Sequence, residues 1–168
     1  DWQEKFVRIT ELLWKKYRPS HVFVPGDVTP YGTVAQHEEM LKYCRRHPWK
    51  WVVAMGDHDR PIQIFERYWG PAQKVTDVGR WRFVGVNTAD GRFTREDALW
   101  LRKQLRKDSI IYSHMPPGLP GWEFHSLSTD CTFRFLEVVD DSLDDVWACF
   151  FVHIHSYDRK AYRGIRFI

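Results

Sequence analysis

Seven residues of metal-binding type stand at the ends of four apolar runs in this chain. Asp27 follows His21-Val22-Phe23-Val24-Pro25-Gly26, and Asp57, His58 and Asp59 follow Trp51-Val52-Val53-Ala54-Met55-Gly56. His114 follows Ile110-Ile111-Tyr112-Ser113, while His153 and His155 close Cys149-Phe150-Phe151-Val152. Carboxylates and imidazoles together suit hard or borderline divalent metals. An apolar run of this length bounded by turn residues reads as a buried strand, and open α/β sheets hold their ligands beyond the carboxyl ends of their strands. The pattern therefore points to one site assembled from four distant loops.

Each cluster alone has an ordinary explanation. Gly26-Asp27 suits a turn, and His114 before Met115-Pro116-Pro117 is an unremarked loop histidine. His153 and His155, if extended, put both imidazoles on one face, as two surface histidines on an edge strand would. Asp57-His58-Asp59 is harder to dismiss, because three ionisable residues directly after a buried strand need water, partners or a metal. The conjunction carries the weight. Two metals about 3.5–4 Å apart clamp the attacking and leaving oxygens of a phosphoryl displacement, and they acidify a coordinated water so that hydroxide exists near neutral pH. A histidine beside them, not itself a ligand, can protonate the leaving oxygen.

The elements that must position these residues can be read in turn. Trp2, Phe6, Ile9 and Leu13 recur at helical spacing, and Pro19 ends that helix. Residues 21–24 and 51–55 form strands, and Thr33 caps a helix running to about Tyr43. The stretch after the second strand, with Pro61, Gly70 and Pro71, reads as loop-rich. Trp81–Val86 is a strand, and Thr94-Arg95-Glu96-Asp97 is a capping box opening a helix through Leu101 and Leu105. Strand 109–112 leads to His114, residues 132–139 read as helical or mixed, and strand 148–152 leads to His153. Ala161–Ile168 forms a last strand turning at Arg163-Gly164. Strands mostly alternate with helices, which gives an α/β class.

A chain of 168 residues is long enough for one domain with a real core. Its net charge of +3 favours an anionic substrate only weakly, and no dense Lys/Arg run demands nucleic acid. Cys44, Cys131 and Cys149 form no CxxC pair, which favours a reduced, cytoplasmic protein. No segment reaches the apolar length of a membrane span or resembles a signal peptide. His21, His37 and His47 lie outside the run ends and read as structural or solvated. His125 is left as an ordinary loop residue, and Arg60 and Arg67 are candidates for phosphate contact.

The ordered set resembles the calcineurin-like metallophosphoesterase family, whose pattern is D-x-H, G-D, G-N-H-[DE], a loop H, and G-H-x-H. Gly26-Asp27 matches the second motif, Gly56-Asp57-His58-Asp59 the third, His114 the fourth and His153-Ile154-His155 the fifth. Phe83-Val84-Gly85-Val86-Asn87-Thr88 and the helix around Trp100-Leu101 resemble the family's middle. The resemblance implies two mixed β-sheets packed face to face with helices outside. It also implies two divalent ions (Mn, Fe, Zn, Ni or Mg) and hydrolysis of a phosphomonoester or phosphodiester by metal-bound hydroxide. Carried over, Asp27 bridges the metals; Asp57, His114 and His153 complete the second site; His155 ligates the first; His58 is the general acid and Asp59 orients it. A non-catalytic protein-binding scaffold on the same fold and a metal-dependent nuclease are the alternatives.

Three departures from the pattern matter. No D-x-H precedes Gly26-Asp27, which leaves the first metal only Asp27 and His155. The chain is therefore read as a single domain over residues 1–168, lacking its first strand, cut short at its N-terminus and open to being so at its C-terminus. Asp57 stands where the family has Asn, adding negative charge and a preference for harder ions. Val152 replaces the glycine before the histidine pair, restricting the backbone without removing a ligand.

Overall fold

The computed structural model describes residues 2–168, with side chains from Glu4 onward, so the inner-face role expected of Trp2 lies outside the described residues. The elements run α1 (Trp2–Tyr17), β1 (His21–Val24), α2 (Val34–Cys44), β2 (Lys50–Val53), a 3₁₀ turn (Asp57–Asp59) and α3 (Ile62–Trp69). They continue with β3 (Lys74–Val78), β4 (Trp81–Val86), α4 (Arg95–Gln104), β5 (Ser109–Ser113), α5 (Thr129–Asp140), β6 (Val146–Phe150), β7 (Lys160–Tyr162) and β8 (Ile165–Phe167).

These strands make two sheets. β1 and β2 pair in parallel, with Val24 opposite Val53. The larger sheet has the order β3-β4-β5-β6-β8-β7. Its four inner strands run parallel, and β3 and β7 close the edges antiparallel. The sheets pack face to face through aromatic rings: Phe23 of β1 stacks on Phe83 of β4 at 3.9 Å and meets Tyr112 of β5 edge-on at 5.5 Å. Val52 and Ala54 are buried in the same seam. Outside the large sheet, Leu101 of α4 and Phe135 and Val139 of α5 bury against Val84, Val86 and Ile111. Outside the small sheet, Phe6 of α1, Met40 of α2 and Phe65 of α3 cover Val53 and Met55. This is an α/β sandwich of a six-stranded mixed sheet and a small sheet, flanked by helices. The small sheet is parallel rather than mixed.

Local chemistry explains most boundaries. Thr33 accepts from the Gln36 amide at 3.3 Å while the Gln36 side chain accepts from the Thr33 amide, a reciprocal cap for α2. Thr94 and Asp97 do the same for α4. Three expectations need correction. The stretch read as loop-rich holds α3 and β3; Pro61 precedes the helix and Gly70, at φ 76°, ends it, so these residues mark its ends. Ile9 is 56 % exposed, and α1 instead turns Phe6, Thr10 and Leu13 inward, because Phe6 is drawn onto the Trp51 ring at 5.7 Å. β1 is half-buried at all four positions, since β2 flanks it on one edge only. All three cysteines are free thiols, and no described helix is long and apolar enough to cross a membrane.

Candidate metal centre

The turns that follow β1 and β2 meet back to back. A Cβ on Gly56 would lie 2.1 Å from Asp27 Oδ1 and 2.4 Å from the Asp27 amide nitrogen. One on Gly26, which sits at φ 124°, would lie 2.5 Å from His114 Nδ1. Only glycine at both positions lets the two turns and the His114 ring approach this closely. Asp27 itself takes a left-handed φ of 55°, which a short polar side chain tolerates better than most.

That approach gathers the site. One ligand atom each from Asp27, Asp57, His114 and His153 lies within 4.8 Å of the others. His114 Nε2 is 2.8 Å from Asp57 Oδ1, 3.4 Å from Asp27 Oδ2 and 2.9 Å from His153 Nδ1, and His153 Nδ1 is 3.2 Å from Asp57 Oδ1. Ligands held at about 2.1 Å around a tetrahedral ion are separated by about 3.4 Å, so the donor set and its spacing fit one divalent metal. His114 is wholly buried; without a metal its Nε2 donates to Asp57 Oδ1 at 2.8 Å, and with one bound the Pro25 carbonyl, 3.3 Å from Nδ1 and able only to accept, would keep the proton on Nδ1 and free Nε2 as a ligand. Burial works against the Asp57 carboxylate, but its hydrogen bond to His114 and the charges of both imidazoles outweigh that and hold its pKa below the ordinary range. Burial, then the neighbouring His114, lowers the His153 imidazole. Both shifts favour the deprotonated forms that bind metals.

Asp59 is fully buried and accepts from the amides of Gly56 at 2.9 Å, Thr29 at 2.9 Å and Val28 at 3.3 Å, and from the Thr29 hydroxyl at 2.8 Å. Burial raises its pKa in spite of these donors. Its carboxylate therefore ties the Gly26-Asp27 turn to the Gly56-Asp57 turn. The His58 ring itself is bonded by the Pro30 carbonyl, which accepts from Nδ1 at 2.9 Å. The His58 amide meets Asp27 Oδ1 at 3.2 Å, and its side chain is 55 % exposed with Nε2 3.9 Å from Asp57 Oδ2. The Pro30 bond, ahead of the surrounding carboxylates, raises the His58 pKa.

The histidine pair is not extended as expected. Strand β6 stops at Phe150, the Ile154 amide turns back to Val152 O at 2.7 Å, and the left-handed conformations fall on His153 (φ 66°) and His155 (φ 51°). His153 thus joins the four-residue cluster, whereas His155 stands apart from it. His155 lines an adjacent cleft of about 420 Å³ with Asp27, Thr29, Pro30, Tyr31 and His58. Arg60 donates from Nε to the Asp57 carbonyl at 2.9 Å, beside the site, and Arg67 lies over the Tyr68 ring on α3. His37 is buried and accepts from Trp69 Nε1 at 3.0 Å, a structural histidine as expected.

Sequence reasoning missed three supports. Thr88 bonds Ser113 at 2.6 Å and the Met115 amide at 2.8 Å, fixing the turn that carries His114. The Val152 amide donates to His114 O at 3.1 Å, linking the two histidine loops. His125, left at an ordinary reading, sets its ring edge-on to His153 at 5.4 Å. Only Thr88, inside the Asn87-Thr88 stretch, carried any prior signal.

A sandwich of this kind, with carboxylates and imidazoles converging from both of its sheets, belongs to a recognisable class of metal-assisted hydrolases. The family model for calcineurin-like phosphoesterases matches residues 1–157, and the chain belongs to that family. Among solved structures it is similar to a dimetal phosphatase from Danio rerio, at a TM-score of 0.74 and 14 % identity over 97 % of this chain and 76 % of that one. It is also similar to a phosphopantetheinyl hydrolase from Mycobacterium tuberculosis, at 0.56 and 13 % over 88 % and 77 %. No curated protein matches the sequence.

Proposed function

We propose that this chain hydrolyses a phosphomonoester or phosphodiester with two divalent metal ions. The observation that carries the reading is the convergence of Asp27, Asp57, His114 and His153 beside an exposed His58 whose Nδ1 is already engaged. Asp57, His114 and His153, with Asp27, would hold one ion, and Asp27 with His155 would face the other. Bound ions would neutralise the phosphate and supply an acidified water as nucleophile.

His58 then acts by a defined proton path. The Pro30 carbonyl can only accept, so Nδ1 carries a proton in either charge state. The imidazolium therefore gives up its Nε2 proton to the leaving oxygen and remains as the Nδ1–H tautomer, still bonded to Pro30. The raised pKa keeps more of the acid form available near neutral pH.

The test is turnover of phenyl and nitrophenyl phosphate with Mn²⁺. His58→Ala should lower kcat by about 10²–10⁴, and by more for phenyl phosphate, whose leaving oxygen needs the proton more. Equal rates in the variant and the parent protein would remove His58 from this role. Metal analysis should find about two ions per chain; a protein that takes up none is a scaffold.

A further inference from the structure

We propose that Tyr31 is a stacking platform, and that the alcohol half of the substrate carries a planar aromatic or heteroaromatic ring. The inference rests on the phosphoesterase reading above and names the substrate class for that site.

The cleft next to the metal centre is lined by both polar and apolar groups: Asp27, Thr29, His58 and His155 mix with Val28, Pro30 and Tyr31. At about 420 Å³ it is in the range of pockets that hold a whole small molecule rather than a phosphate alone. Among the described residues its lining includes no lysine or arginine. A second phosphate would thus find no lysine or arginine to pair with there, whereas an uncharged ring would find Val28, Pro30 and Tyr31.

Tyr31 is 77 % exposed, which by itself is unremarkable for a single side chain. Its backbone is what singles it out. The Tyr31 amide donates to Gln36 Oε1 at 3.0 Å, the group that also caps α2. The next residue, Gly32, sits at φ 63° so close to Arg60 that a Cβ there would lie 1.9 Å from its carbonyl oxygen, and its amide donates to Thr29 Oγ1 at 3.1 Å. Thr29 is in turn held by Asp59, and Pro30 holds His58. The network that fixes the general acid therefore fixes the backbone on both sides of Tyr31. A tyrosine ring with two side-chain torsions offers large contact area at low entropic cost, and it is presented here one residue from the carbonyl that orients His58.

The experiment is calorimetric titration of the Mn²⁺-loaded protein with matched pairs: phenylphosphonate against ethylphosphonate, and adenosine monophosphate against ribose 5-phosphate. The parent protein should bind the ring-bearing member of at least one pair about tenfold more tightly, and the pair that shows the gap separates a simple aryl group from a nucleobase. Tyr31→Ala should close the gap and Tyr31→Phe should keep it. In turnover, Tyr31→Ala should bring the ratio of KM values for ring-free and ring-bearing esters to about one. Absence of ring preference in the parent protein, or a preference that survives Tyr31→Ala, overturns the platform even if both esters are hydrolysed. A ring preference without turnover of any ester supports the platform and overturns the phosphoesterase reading. Failure to bind any of the four compounds overturns both.

Discussion

A methyl group at Gly56 would fall 2.1 Å from the Asp27 carboxylate and 2.4 Å from its amide nitrogen, and the second of these cannot move without moving the turn. Gly56→Ala should therefore displace the Asp27 carboxylate as well as strain the fold. The expected stability cost is about 1–3 kcal/mol, with at least about a tenfold loss in metal affinity, read by denaturant unfolding and by metal titration. A variant that binds metal normally would show that the close approach of the two turns is incidental. Asp59 tests the same junction from inside. An amide at this position keeps the shape but turns one end into a donor facing backbone donors, so Asp59→Asn should cost about 1–3 kcal/mol. It should also slow turnover through the displaced Asp27 and His58 turns. If stability holds and only activity falls, Asp59 acts on the chemistry and the tie between the turns is not its main role.

At the scale of elements, Lys74 shows how the second strand and the third helix are joined. Its Nζ donates to Val53 O at 2.7 Å and Trp69 O at 2.8 Å, so it fastens the end of β2 and the end of α3 to the start of β3. Burial lowers its pKa to about 8. The folded state then releases this proton before the unfolded chain does, so the penalty of burying the charge is fully present below pH 8 and is relieved as pH rises toward the unfolded value near 10.5. Stability of the parent protein minus that of Lys74→Met should grow by up to about 3 kcal/mol between pH 7 and pH 10, measured by urea unfolding at each pH. Every other titrating group is common to both proteins and cancels in the difference; a flat difference would mean Lys74 does not titrate there. Lys74, β3 and α3 were not legible in the sequence, because Pro61, Gly70 and Pro71 mark ends and eight helical residues between them are too few to show a period. The capped helices were legible, since Thr33-Gln36 and Thr94-Asp97 are side-chain signals. So were the four strand ends and the convergence of Asp27, Asp57, His114 and His153. The role of Pro30 was not, because its contribution is a carbonyl oxygen that every residue has. The bend at His153 escaped because the period-two reading assumed an extended backbone that ends at Phe150.

Across the whole molecule, the four clustered residues are divided between the two sheets. Asp27 and Asp57 follow the strands of the small parallel sheet, and His114 and His153 follow adjacent strands of the large one. Between the sheets lies an apolar seam of Phe23, Phe83 and Tyr112, so a metal held by all four ligands would staple the two layers at one end of that seam. An ion that binds the folded state alone adds RT ln(1 + [L]/Kd), about 2.7 kcal/mol at a hundredfold excess over Kd. For a chain of this length that is a Tm rise of roughly 5–11 °C. Chelation should reverse it, and His114→Ala should lack it altogether. Phe23→Ala loosens the same seam away from the ligands, so it should lower Tm with and without metal by the same amount, about 2–3 kcal/mol of lost packing. The two variants together separate the staple from the seam: a metal-dependent rise that persists in His114→Ala would place the ion elsewhere, and one that disappears in Phe23→Ala would mean the seam, not the metal, brings the four ligands together.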